Sequence, residues 1–207
     1  MDETVSTEHH SSGMEWQLPI QKMEISNIQI GSPWMRAAAT AAAQQQQQQQ
    51  AHLAPLSYFS PQFRMPSLSV LFPPLPIIDY VPQTGRLVLD IAETHLACIK
   101  LGTLQETLIA AVAFHQTAWF KTDYTVQQIR TGFQPLLSGT HLIFHCPPGV
   151  VSSRANTADL CVGSRIRIAV KIHGLSFLNR SDLSGTDAGW TGRCRLQHRI
   201  VGILPQA

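Results

Sequence analysis

The sequence predicts a largely disordered N-terminal half followed by a small α+β domain. Three observations carry that expectation. Seven consecutive glutamines, Gln44 to Gln50, follow an alanine-rich run, and seven of the thirteen prolines fall within residues 55–82. Apolar patterns with helical and strand periods become regular only after residue 83. The chain of 207 residues is long enough for one ordinary domain, or a small domain with a tail.

Composition narrows the classes. Charged residues make up 14%, against about 25% in average soluble domains. That is too few for a coiled coil or a highly charged disordered tail, and glycine shows no three-residue period. The net charge of +2 conceals a gradient: residues 1–80 carry −3, residues 81–150 carry 0 and residues 151–207 carry +5. Only the last segment offers a basic face. The four cysteines, Cys98, Cys146, Cys161 and Cys194, are widely spaced and read as reduced. The polar, acidic start lacks the pattern of a signal peptide. No uncharged stretch has the length and freedom from proline of a membrane span. The expectation is a nuclear or cytoplasmic protein without a membrane segment.

The elements follow in chain order. Residues 1–31 read as a flexible polar tail with scattered apolar residues. Residues 32–54 read as a low-complexity helix, started by Ser32 and Pro33 and sustained by alanine and glutamine to His52. Residues 55–82 read as an extended, proline-punctuated segment whose aromatic and aliphatic side chains suit protein partners. The Pro73–Pro76 spacing matches a PxxP groove ligand, a pattern common by chance.

Residues 83–207 form the candidate α+β domain. Leu87, Val88, Leu89 and Ile91 suit a strand after Gly85. Thr103 and Glu106 have the spacing of a capping box at a helix start, with Leu104, Leu108, Val112 and Trp119 near one face. The deficit of charge here makes solubility depend on burying that helix. Val126, Ile129 and Phe133 suggest a second helix ending near Gly132. His141 to Cys146 reads as a strand, and Pro147-Pro148-Gly149 as a turn. In Arg165 to His173, Ile166, Ile168, Val170 and Ile172 alternate with Arg165, Arg167, Ala169 and Lys171, the clearest strand pattern in the chain. Leu196 to Leu204 is a final strand, after a polar loop at 181–192.

Catalytic motifs are absent from the sequence. Neither glycine-rich phosphate loop nor serine elbow occurs. Asp187-Ala188-Gly189 lacks the Ser or Thr of an aspartic-protease loop. His141 with His145, and His95 with Cys98, share faces at generic spacing that matches no zinc finger. A Cys–His nucleophile pair lacks a third orienting group. No cofactor or metal is expected.

The basic residues carry the remaining signal. Arg165, Arg167 and Lys171 share one strand face, and Arg193, Arg195 and Arg199 lie on or near the last element. If the two strands pair, a cationic stripe follows, suited to nucleic acid; the simpler reading is the solvated face of an amphipathic strand. The Ala/Gln and proline tracts have the composition of low-complexity regions in eukaryotic transcription regulators.

Four functions follow as expectations. The first is a non-enzymatic, nuclear regulatory protein that meets protein partners through residues 55–82. The second is a nucleic-acid-binding module on residues 151–207. The third, ranked last, is an enzyme using His141, His145 or a cysteine. The fourth is a young or lineage-restricted chain without a defined biochemical activity.

Overall fold

Strand β12 (Arg165–Asn179) is where the molecule is joined together. Its alternating apolar residues Ile166, Ile168, Val170 and Ile172 are fully buried, as a period of two requires. One edge of β12 pairs antiparallel with β13 (Trp190–Pro205) along its length. The other edge is shared by three strands in succession: β7 (Leu75–Val81) at Arg165–Ile166, β6 (Leu68–Leu71) at Ala169–Ile172, and β4 (Ala51–Phe59) at Gly174–Leu178. The structure, a computed structural model, describes residues 17–35, 51–145, 160–179 and 190–205.

The other strands extend this sheet. β1 (Leu18–Pro19) runs parallel to β6, while β2 (Ile28–Ile30), β3 (Trp34–Met35) and β5 (Arg64–Met65) pair with β4. β8 (Arg86–Asp90) links β7 to β11 (His141–His145), which closes a hairpin with β10 (Leu137–Ser138). β9 (Phe133–Gln134) pairs parallel with β13 at Cys194 and Arg195. Among the described residues the mixed sheet has thirteen strands. Two helices, α1 (His95–Phe120) and α2 (Val126–Gly132), pack against it.

This architecture corrects the expected fold class. The described part of the N-terminal half, residues 17–35 and 51–82, is folded into the sheet, and the described protein is mostly β. Residues 17–35 are anchored by buried Leu18, Ile20 and Met23. Within 55–82, Leu56, Tyr58, Met65, Leu68, Val70, Phe72, Leu75 and Ile77 are core residues. The extended geometry read from the prolines is present, but its partner is this chain's own β12. Pro55 falls at the end of the β4–β12 ladder and between the β3 and β2 pairings, Pro76 falls in the two-residue pairing of β7 with β12, and Pro73 and Pro74 lie between β6 and β7. The expected helix at 32–54 is replaced at both ends by strand. Trp34 and Met35 pair with Leu53 and His52, so tertiary pairing overrides helix propensity there. Residues 36–50, with the Ala/Gln tract, lie outside the described residues, as do residues 1–16, 146–159 and 180–189.

α1 begins eight residues before Thr103, at His95. Burial of Ala97 and Leu101 extends the helix backward, and Thr103 becomes an interior residue. Glu106 does not cap; it accepts from Arg130 Nη2 of α2 at 2.6 Å. The capping box is one helix later, where Thr125 Oγ1 accepts from Gln128 N at 3.2 Å and Gln128 Oε1 accepts from Thr125 N at 2.8 Å. α1 is the one helix among the described residues long and apolar enough to cross a membrane. It buries Leu104, Leu108, Ile109 and Val112 in the core and leaves Phe114 81% exposed.

Two contacts fix the end of the sheet that carries the basic residues. Gly174 lies against β4 so closely that a Cβ there would fall 2.1 Å from the Ala54 carbonyl oxygen. Buried Gln116 of α1 accepts from Tyr124 N and donates to Tyr124 O, both at 2.7 Å. Tyr124 Oη in turn donates to the Trp190 carbonyl at 3.1 Å. Trp190 packs with Phe120 and Phe177 at centroid distances of 5.2 and 5.5 Å, and its Nε1 donates to the Arg193 carbonyl at 2.7 Å. The start of β13 is therefore held from three sides.

Candidate nucleic-acid interface

β12 and β13 pair, the condition for a cationic stripe. Cys194, Leu196 and Ile200 point into the core, so Arg193, Arg195 and Arg199 project from the opposite side. Lys171 sits directly across from Arg199, and Ser176 directly across from Arg195. Arg167 lies opposite Leu204 on this same side. Bulges at Val201 and His173 keep the two strands in phase despite their unequal spacing. From Arg193 to Arg199 the stripe runs about 20 Å along β13.

Arg165 is not part of it. Its Nη2 donates to Glu93 Oε2 at 3.0 Å and to the Pro74 carbonyl at 3.1 Å. That arginine ties β12 to the turn before α1. The other ion pairs among the described residues, Arg86–Asp79 and Arg130–Glu106, also lie off the stripe. Thus no described carboxylate pairs with Arg167, Arg193, Arg195 or Arg199.

At the far edge of β13 the strand approaches β11 without a shared ladder among the described residues. A groove of about 460 Å³ opens there, lined by His145, Arg195, Gln197, His198 and Arg199 over Leu196 and Ile200. The His198 ring meets Phe144 edge-on at 5.5 Å, and its Nδ1 is 3.1 Å from the Leu196 carbonyl. Burial holds the His198 imidazole below its ordinary pKa, and nearby Arg195 and His145 push it the same way against the opposing pull of the Leu196 carbonyl. Gln197, with its amide oxygen toward Arg195, accepts from Nε and Nη2 at 3.0 and 3.2 Å. A second cleft, of about 400 Å³, lies between α2 and the start of β13, with Arg193, Tyr124, Gln127 and Gln128 on its walls.

The groove histidines are what sequence reasoning missed. The sequence offers His145 as the strand neighbour of His141, as a metal ligand or a catalytic residue, and not as a partner of His198. Among the described residues no group of three or more His, Cys, Asp or Glu side chains converges to hold a metal. Cys98 Sγ donates to the Ile91 carbonyl at 3.5 Å, and burial followed by the charge of Asp90 raises its pKa. That environment opposes the thiolate a nucleophile needs. Cys146 and the turn at 147–149 lie outside the described residues. No family model, curated protein or solved structure matches the chain.

Proposed function

We propose that the protein binds nucleic acid through its phosphate backbone, along the outer side of β12 and β13. One observation carries this reading. Arg167, Arg193, Arg195 and Arg199 share one side of a paired strand couple, with no ion-pairing carboxylate among the described residues. A chain this sparing of charge concentrates guanidinium groups on one side, where they neutralise phosphates and release counterions.

The shape of the face narrows the mode. A two-stranded ribbon fits the DNA major groove. Here β6 and β4 flank β12 along most of its length, so the face is too broad to enter. Phe114 on α1 is the one aromatic among the large apolar side chains left exposed in the described residues. The stripe therefore offers phosphate contacts rather than base stacking. Weak sequence preference and strong salt dependence follow.

The test is fluorescence anisotropy of the full chain with labelled oligodeoxythymidylate across a salt series. Affinity should fall steeply with salt. Replacing Arg167 or Arg193 with glutamine should each lower the slope of log K against log salt by about one. Absence of salt-dependent binding, or an unchanged slope in both variants, would overturn the reading.

A further inference from the structure

The groove between β11 and β13 differs from the open stripe in being concave and in carrying imidazoles. Its volume of about 460 Å³ falls within the range of about 300–1,000 Å³ that suits small ligands. It brings together the guanidinium groups of Arg195 and Arg199 and the rings of His145 and His198. Gln197 occupies two N–H groups of Arg195, leaving three of the five that a guanidinium presents. No carboxylate lines the groove among the described residues.

We propose that this groove is a phosphate-group subsite in which Arg195, Arg199 and His145 contact the anion and His198 takes up a proton when it binds. The assignment rests on the nucleic-acid reading above and specifies where a phosphate of the bound strand is held most closely. Proton uptake follows from the bonding of His198. Its Nδ1 faces the Leu196 carbonyl, so Nδ1–H donates there and the neutral ring presents Nε2 as an acceptor. An acceptor repels an anion; protonation converts Nε2 to a donor. The titratable and charged groups acting on the ring are Arg195 on β13 and His145 on β11; Arg199 lines the same groove, and β12 presents uncharged Ile172 directly opposite. Without ligand Arg195 and His145 oppose a charge on His198, and a bound anion offsets them. The arginines remain charged throughout the neutral range, so the His198 imidazole supplies the pH dependence.

The test uses the full chain with two probes, labelled oligodeoxythymidylate and inorganic pyrophosphate, at fixed salt between about pH 8 and about pH 6, the imidazole range. Oligonucleotide affinity should rise as pH falls, by up to about tenfold per pH unit for one proton taken up. His145→Gln combined with Arg199→Gln, both at exposed positions, should weaken binding and flatten the profile. His198→Gln, at a half-buried position, should flatten it in any variant that retains the native circular-dichroism spectrum. Pyrophosphate should compete with the oligonucleotide and shift the His145 and His198 ring resonances. Oligonucleotide binding with a flat pH profile, unchanged in the double variant, would overturn the subsite and leave the stripe intact. Pyrophosphate shifting both rings without any oligonucleotide binding would support the groove as a site for small phosphate esters and overturn the nucleic-acid reading. No response to either probe would overturn both.

Discussion

Lys171 and Arg199 stand directly opposite each other on β12 and β13, two cations in one cross-strand pair. Like charges in that position oppose folding, and the same juxtaposition strengthens the field felt by a polyanion. Arg199→Glu separates these effects. Stability should rise by about 0.2–1 kcal/mol, read as a higher urea midpoint, while oligonucleotide affinity falls. A variant that loses stability and affinity together would show that Arg199 serves the fold.

Gln116 joins α1 to the segment before α2. Gln116→Leu keeps the apolar volume but strands the Tyr124 N–H and carbonyl. Each unpartnered backbone group costs about 1–3 kcal/mol when buried, so urea unfolding should register a loss of at least about 2 kcal/mol. A loss below about 0.5 kcal/mol, within the range of ordinary surface changes, would mean that water replaces the side chain.

Two glycines should respond in opposite directions. Gly174→Ala drives a Cβ into the β4 backbone, and strain of this kind costs about 1–3 kcal/mol or more. Gly102→Ala, inside α1 with nothing within 4 Å of the new Cβ, should stabilise by about 0.5–1 kcal/mol. Paired thermal melts check both signs. A neutral Gly174→Ala would dissolve the contact between β4 and β12.

The cysteines should react in a fixed order. Cys161 is exposed, whereas Cys194 is buried and burial pushes its thiol up to about 12. At pH 8 about one Cys194 in ten thousand is then thiolate. A disulfide reagent followed by peptide mapping should label Cys161 in the native protein and Cys194 only as the chain unfolds. Native-state labelling of Cys194 at a comparable rate would place it outside the core.

The glutamine tract lies between two paired strands, since Met35 is matched with His52. Deleting Gln44–Gln50 shortens the connection from 16 residues to 9. Halving the length of a loop changes its closure entropy by only about 0.6 kcal/mol. The deletion should therefore leave the unfolding midpoint nearly unchanged, and a large loss would show that the glutamines make contacts of their own.

The sequence disclosed those elements whose burial is written in a local period. Ile166 to Ile172 alternate because β12 is buried on one side, and Val126, Ile129 and Phe133 mark α2 and its end. Val70 and Phe72 were illegible as core because their partners on β12 lie about a hundred residues away, and Leu56 and Tyr58 because they pair with Ile30 and Ile28 in a segment that reads as a tail; proline masked the alternation. Thr103 and Glu106 had the spacing of a cap, but Arg130 takes Glu106 and burial of Leu101 continues the helix through Thr103. The basic residues of the stripe were visible, since strand parity places them. Removal of Arg165 from the stripe by Glu93, and the meeting of His145 with His198, depend on how distant segments approach. No spacing in the chain encodes either.

The position of β12 in the chain has a consequence for biogenesis. β4, β6 and β7 all depend on a strand that starts at Arg165. A ribosome making about 5–20 residues per second finishes β6 roughly five to twenty seconds before β12 is made. Throughout that interval the apolar strands of the nascent chain have open edges, the state most prone to pairing with a neighbour on the same message. Yield in cells should therefore depend on translation speed and on holding chaperones more than on the stability of the finished molecule.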